Sequence, residues 1–167
     1  MVGGLMAKFK VGDGIEKYIS SLSTITNATE EMIGKAIFEG AKVVTDEIRS
    51  ALEGLPIDNR YAKEGETLTG ISSAQKAGLL NGLGITTMKK DDGVYNVKVG
   101  FDGYNIIKTK RWPQGQPNSM IARSLESGTS FRAKNPAISK ATRAAKAQAE
   151  EAMAKAFDEE LEKHINI

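Results

Sequence analysis

The sequence contains no cysteine among its 167 residues, which excludes disulfide bonds, thiolate metal sites and cysteine nucleophiles. Histidine occurs once, at His164 near the end of the chain, so we predict no metal site and no histidine acid–base chemistry. No apolar run reaches the roughly 18 residues of a membrane span, and the first residues are too weakly apolar for a secretory signal. These absences predict a protein without a cofactor that stays in the cytoplasm where it is made.

Charge of one sign is not in excess either, because 23 Lys and Arg stand against 21 Asp and Glu, a net charge of +2. A general nucleic-acid binder gains its affinity by neutralising many phosphates, so this balance argues against that class, although it allows a local basic patch. The length fits one domain of ordinary size, and we predict a single domain over residues 1–167. Four glycines in the first 14 residues predict a flexible N-terminal arm over 1–14.

Helical periodicity is clearest in the segment Asn27–Glu53. Asn27 is placed to cap the first turn, with Glu30 at the third position of a capping box. Six apolar residues then recur at steps of three and four on one face: Ile33, Ile37, Ala41, Val44, Ile48 and Leu52. Two shorter helices are predicted, one capped by Ser72 or Ser73 and one that carries Ile121, Ala122 and Leu125.

Strand-like alternation begins at Ile85. The run ITTMKKDDGVYNVKVGF places two alternating segments around an acidic-glycine turn, which predicts a β-hairpin, and Asn105–Lys110 is predicted as a further strand. A last helix from about Pro136 to about Lys163 carries a stripe of mostly small residues: Ile138, Ala141, Ala145, Ala149, Ala152 and Ala156, with Met153, Phe157 and Leu161 beside it. The predicted class is α+β, in which a small antiparallel, hairpin-based sheet packs with an N-terminal amphipathic helix and a long C-terminal helix.

The last helix carries its charges in an unusual order. Its first half is basic, with Lys140, Arg143 and Lys146, and its second half is acidic from Glu150 and Glu151 onward. The helix macrodipole favours the reverse order by roughly 0.3–1 kcal/mol for each well-placed charge. Two interpretations stay open: a solvated helix with accidental polarity, or a helix whose two halves meet opposite charges on another chain.

Catalysis is not indicated by the loop ESGTS, which starts at Glu126. A P-loop requires a lysine directly after its glycine loop, and a nucleophile elbow requires the pattern Gly-x-Ser-x-Gly; both are missing here. We predict instead that Gly128 ends a helix with a positive φ and that the hydroxyl of Thr129 or Ser130 binds the loop backbone. The chain is therefore predicted not to be an enzyme.

An interaction surface is predicted at KTKRWPQGQP. Lys108, Lys110 and Arg111 stand beside Trp112, the only tryptophan of the chain. Tryptophan and arginine are favoured anchors of protein interfaces, and a basic-aromatic patch also suits nucleic acid. The alternative is that Trp112 packs on its own domain.

The segment SMIARSLESGTSFRAKNPAISKA, followed by a long helix, resembles the closing module of the phage neck and tail-completion family, the head-tail joining and minor tail components. Members show a helix, then Glu-x-Gly-Thr, then a proline-containing stretch that leads into a final amphipathic helix. Here the motif residues are Glu126, Gly128, Thr129 and Pro136. GVYNVKVGFDGY is similar to the central strands of the family. Family members place aromatic and arginine residues after the proline, whereas here Phe131 and Arg132 precede it.

The resemblance implies a structural virion protein that forms a homo-oligomeric ring of six copies at the head-proximal end of a tail, as a tail terminator or collar. Its implied partners are tail tube or sheath proteins and a head-closure protein, with DNA only as passing cargo and no membrane. The particle would be assembled in the cytoplasm of the host bacterium. The motif would be a joint that aims the last helix. The alternative function is a small DNA-binding module that uses the basic-aromatic residues and the basic start of that helix.

Overall fold

The computed structural model describes residues 7–10 and 29–165. Within them the chain forms four helices and four strands, which confirms the α+β class. In chain order they are β1 (Ala7–Lys10), α1 (Thr29–Glu53), α2 (Ser73–Gly82), β2 (Leu83–Ile85), β3 (Lys89–Asp91), β4 (Val94–Phe101), α3 (Asn118–Ser127) and α4 (Ala137–Ile165). Of the predicted arm, only Ala7–Lys10 are described, and they form β1. The predicted cap Asn27 lies outside the described residues.

The residues group into two compact units. The first contains the described residues of Met1–Ala7, Thr45–Gly84 and Gly100–Ala144. The second contains those of Lys8–Val44, Ile85–Val99 and Ala145–Ile167. The single domain over 1–167 stays a prediction.

The predicted apolar face of α1 is confirmed. Each of its six apolar residues is at most 2% exposed, since helical periodicity puts them on one side of the cylinder: Ile33, Ile37, Ala41, Val44, Ile48 and Leu52. The helix has acidic residues in its first turn but no basic residue in its last. Lys76 of α2 supplies that cation, because its Nζ donates to the carbonyl of Glu53 at 2.5 Å and to that of Leu55 at 3.1 Å.

The sheet has the strand order β1-β4-β2, and β3 pairs with β4 in antiparallel register. Asp91 faces Val94, so a two-residue turn connects the strands. Both turn residues have positive φ, 50° at Asp92 and 82° at Gly93. This is the backbone of a type I′ turn, which the Asp-Gly pair favours. The predicted hairpin is therefore confirmed.

The predicted strand Asn105–Lys110 is wrong, because this segment is the first arm of an irregular loop. The side-chain Oδ1 of Asn105 accepts from the backbone N–H of Ile107 at 2.9 Å and from that of Gln116 at 3.3 Å. Such a side-chain acceptor competes with a strand ladder and bends the chain. The backbones of Thr109 and Trp112 then bond each other in both directions at 3.0 Å, which closes a tight turn.

In the first unit, α2 begins as predicted, with Ser72 and Gln75 forming a capping box. Its glycines have a packing reason. A Cβ on Gly78 would lie 2.5 Å from Oδ1 of Asn118, and a Cβ on Gly82 would lie 2.6 Å from Nδ2 of the same residue. Asn118 Nδ2 donates to the carbonyl of Asp102 at 2.8 Å. Glycine therefore lets α2 approach the start of α3, at the usual cost to helix propensity.

In the second unit, α4 packs closely on α1. A Cβ added to Gly40 would collide with the side chain of Met153 and lie 3.1 Å from the carbonyl of Ala149. The buried stripe of α4 in this unit is Ala145, Ala149, Met153 and Phe157. Ala152 and Ala156, predicted for the stripe, are only half-buried. The stripe follows successive steps of four residues, which carry it through Met153 and Phe157.

Candidate helix joint and interaction surface

The predicted joint begins where α3 ends, at Ser127. Gly128 has a φ of 73°, and its N–H donates to the carbonyl of Ser124 at 2.9 Å. The prediction of a glycine with positive φ is thus confirmed. The site is also crowded, because a Cβ on Gly128 would lie 3.0 Å from the backbone nitrogen of Lys134. Glycine is required here for both its φ and its size.

Thr129 holds the loop that follows. Its backbone N–H donates to the carbonyl of Arg132 at 2.9 Å, and the N–H of Arg132 donates back at 3.4 Å. The hydroxyl of Thr129 accepts from the N–H of Phe131 at 3.4 Å, as predicted for a hydroxyl in this loop. Outside the loop, Leu68 donates to Phe131 at 3.0 Å and accepts from Ala133 at 2.9 Å. Both sides of the loop are therefore anchored.

Glu126 of α3 caps the N-terminus of α4. The carbonyl of Pro136 accepts the first helical bond, from Lys140 at 3.0 Å, but proline has no side-chain acceptor for the next free N–H groups. Oε1 of Glu126 accepts from the N–H of Ile138 at 2.7 Å and of Ser139 at 3.3 Å. The hydroxyl of Ser139 donates to Oε2. A carboxylate 7% exposed thus takes the place of an N-cap and also stabilises the positive end of the helix dipole.

Sequence reasoning placed Glu126 in the joint but missed what it binds. Thr129 holds the loop, Gly128 turns it, Pro136 starts α4, and Glu126 bridges the two helices. The backbone N–H of Asn135 also donates to the carbonyl of Leu125 at 2.8 Å. Two features of the sequence could have indicated this cap. Pro136 stands at the helix start, where a polar capping residue is usual, and an acidic residue, Glu126, stands at the end of the previous helix.

Arg132 is a further residue that sequence reasoning missed. It is 7% exposed, and its Nη2 donates to Oε1 of Gln75 at 2.8 Å. Its Nε and Nη1 have no hydrogen-bond partner among the described residues. Burial lowers the pKa of its guanidinium below the usual value because a low-dielectric surrounding disfavours the charged form.

The basic-aromatic loop, residues 105–117, presents the predicted cations to solvent. Lys108, Lys110 and Arg111 are exposed, and none of them forms an ion pair within residues 29–165. The Arg111 guanidinium lies 5.6 Å from the centroid of the Trp112 ring, within the range of a cation–π contact. Trp112 itself is half-buried. The side chain of Ile106 is 82% exposed, so the loop combines cations with an uncovered apolar residue.

The charged residues of α4 that we predicted as contacts are all on its solvent side. Lys140, Arg143, Lys146, Glu150 and Glu151 are exposed. Lys146 and Glu150 form one i,i+4 pair at 3.9 Å, and an exposed pair of this kind contributes only about 0.3–0.5 kcal/mol. The order of the charges, basic before acidic, is therefore presented outward and is little neutralised within the helix.

The part of the chain that the structure describes contains no group of three or more His, Cys, Asp or Glu residues placed to hold a metal ion. None of its helices combines the length and the apolar character needed to cross a membrane. A scan against protein-family models, a search of curated proteins and a search of solved structures each found no match.

Proposed function

We propose that this chain is a structural subunit that assembles into a ring at the head-proximal end of a phage or phage-derived tail, as a neck or tail-completion protein. The observation that carries the proposal is α4, which is capped by Glu126 at its start and presents an outward face that is basic first and acidic later. That the ring belongs to a phage or phage-derived tail is proposed from the sequence resemblance alone.

The charge order supports contact between copies. Lys140 lies in a first turn without acids, which the helix macrodipole disfavours, whereas Lys163 and His164 in the last turn agree with it. The macrodipole therefore does not explain the basic first half of α4. A closed ring uses heterologous contacts, in which one patch of a subunit meets a different patch of the next. A helix that carries opposite charges on its two halves offers two such patches. Because solvated charges are screened by salt, assembly through them is expected to weaken as salt rises.

The charge of the whole subunit supports a passage for DNA. With a net charge of +2 per chain, six copies do not produce the strongly basic channel that would hold phosphates tightly. We propose that DNA only passes through, and that the stable partners are tail tube or sheath proteins on one side and a head-closure protein on the other. The proposed function involves no catalysis and no cofactor.

Sedimentation analysis of the purified protein tests the ring. We expect a species of six times the 18.0 kDa subunit and ring-shaped particles by electron microscopy. A protein that stays monomeric over a wide concentration range, both alone and with tail tubes, would contradict the proposal.

A charge-reversal variant locates the contact on α4. Lys140→Glu with Arg143→Glu should dissociate the ring, since both cations are exposed. The change moves negative charge toward the start of the helix, which the macrodipole favours, so loss of fold does not explain the dissociation. Lys63→Glu with Lys89→Glu changes the net charge equally at exposed positions off α4 and should leave the ring intact.

The alternative is a small DNA-binding module. It is favoured by the exposed cations of the basic-aromatic loop, Lys108, Lys110 and Arg111, which have no ion pair among the described residues. This function predicts duplex binding that falls steeply with salt. Absence of electrophoretic retardation at low salt would exclude it.

A further inference from the structure

We infer that the basic-aromatic loop of one copy docks on the acidic segment of α4, residues 150–162, in a second copy. The inference rests on the proposed function and names the surface that would meet the acidic half of α4. It is carried by three observations: the fixed shape of the loop, the position of its apolar residue, and a stripe of acidic residues without ion pairs on α4.

The loop is a preformed surface of one charge. From residue 105 to residue 117 it contains three cations and no acidic residue. Its shape is set by backbone bonds: Asn105 donates to Gln116 at 2.9 Å, Gln116 donates to Ile107 at 3.0 Å, and Gly115 donates to Trp112 at 3.1 Å. A loop that is ordered before binding loses little entropy when a partner covers it.

The exposed apolar side chains favour a protein partner over DNA. Ile106 is 82% exposed, and Tyr104, just before the loop, is 53% exposed. Covering an isoleucine gains free energy from apolar burial, which a phosphate backbone does not supply. An exposed apolar side chain in the same loop as an arginine and a tryptophan matches the composition of protein interfaces.

The acidic segment is complementary in charge. It has five exposed acids, one exposed lysine and the buried Glu160. Glu151, Asp158 and Glu162 stand at positions i, i+7 and i+11 of the helix, so they lie along one stripe, and none of them forms an ion pair among the described residues. Half-buried Ala154 stands three residues after Glu151, beside the same stripe, and leaves space for a side chain of the loop. Lys155 also lies on the stripe and is paired with Glu159 at 3.9 Å.

The two surfaces are different patches of one chain, as a heterologous contact requires. The loop provides cations and an apolar side chain, and the stripe provides acids beside a small residue. The loop cations and the stripe acids Glu151, Asp158 and Glu162 form no ion pair within the described part of a single copy. A second copy of the same chain satisfies both at once.

A charge-exchange experiment tests the pairing. Lys108→Glu with Lys110→Glu, and separately Glu151→Lys with Asp158→Lys, should each weaken self-association by about tenfold or more at low salt. Combining all four substitutions should restore much of the affinity, because the charges are exchanged across the interface. Association is measured by sedimentation equilibrium, and folding by circular dichroism. If a reversal lowers the thermal midpoint, Lys108→Gln with Lys110→Gln replaces it and should weaken association less but in the same direction.

The outcomes separate the two proposals. If the wild-type protein is monomeric, the ring and the contact both fail. If the wild type assembles but the reversals do not weaken it, or the fourfold variant does not recover, the contact is overturned and the ring stands. If Lys108→Glu with Lys110→Glu abolishes duplex binding and leaves assembly unchanged, the loop contacts DNA and the inference is wrong.

Discussion

The carboxylate of Glu126 accepts the backbone N–H of Ile138 at 2.7 Å, although the two residues stand in successive helices. The bond makes the last residues of α3 part of the start of α4. Glu126 thus has a physical role: it fixes where the long helix begins and the direction in which it leaves α3.

Replacing Glu126 tests this role. Glu126→Ala removes the acceptor of one buried and one partly buried backbone N–H group, so we expect the free energy of unfolding to fall by about 1–3 kcal/mol. Glu126→Gln retains one acceptor oxygen and should cost less. Urea unfolding measures both. Glu64→Ala, at an exposed position, is the control and should change little; an equal effect of Glu126→Ala and Glu64→Ala would refute the cap.

Gly128→Ala should also loosen the joint. At φ 73° and ψ 169° the backbone lies in a region that is occupied almost only by glycine, where a residue with a Cβ costs about 1–3 kcal/mol, and the new carbon would lie 3.0 Å from the backbone nitrogen of Lys134. Gly54→Ala is the matched control, because its Cβ would have no neighbour nearer than 3.6 Å. Thermal unfolding should show a lower midpoint for the first variant only.

A second pair of glycine variants tests the close approach of α2 and α3. Gly82→Ala would push a carbon against the backbone of Asp102 and lie 2.6 Å from Asn118 Nδ2, so we expect a loss of about 1–3 kcal/mol. Gly84→Ala meets no atom within 4 Å and should be neutral or stabilise by up to about 1 kcal/mol. Equal stability of the two variants in urea would show that this packing is wrong.

Low pH should lower the stability of the second unit, because Glu160 becomes protonated. Hydrogen bonds from Lys163 at 2.7 Å and Lys35 at 2.8 Å lower the pKa of its carboxyl from 4.5 to about 2. A group with a depressed pKa in the folded state stabilises the protein above its unfolded value. That contribution is full above about pH 4.5 and is lost as the pH falls toward 2.

The measurement is the urea midpoint between pH 7 and pH 2. Glu160→Gln cannot titrate, so its midpoint should fall less over this range than that of the wild type. Glu159→Gln, an exposed neighbour, should retain the slope of the wild type. A wild-type slope in Glu160→Gln would exclude this carboxylate as the source.

Arg132→Met is expected to keep or raise stability by about 1 kcal/mol, since a buried charge with incomplete pairing can often be replaced by an apolar side chain of similar volume. Gln75 retains its bond to Ser72 in this variant. A decrease of more than about 2 kcal/mol in the free energy of unfolding, measured in urea, would show that the guanidinium stabilises the fold by more than its one hydrogen bond to Gln75 accounts for.

Local rules predicted much of this structure. The face of α1, the Asp92-Gly93 turn and the positive φ of Gly128 each depend on residues within a few positions of one another. The cap from Glu126 and the packing reason for Gly82 depend on side chains that are brought together only by loops, so no periodicity could reveal them. The false strand at Asn105 shows the same limit, because one side-chain acceptor, bonded to Gln116, outweighed a β-like composition.

The charges of α4 were visible in the sequence, but their outward placement was not. Periodicity assigned the stripe to Ala152 and Ala156, whereas the buried line runs through Met153 and Phe157. A shift of one residue rotates a helix by about 100°. The direction of each charged side chain therefore depended on contacts that only the folded chain defines.

Met153 lies so near Gly40 that not even a methyl group fits between them. In the second unit this contact fixes the rotation of α4 about its own axis. It thereby fixes the direction in which Glu151 and Asp158 leave the helix. Larger side chains at residue 40 would therefore rotate α4 and, in the proposed ring, change the angle between neighbouring copies without changing their charges.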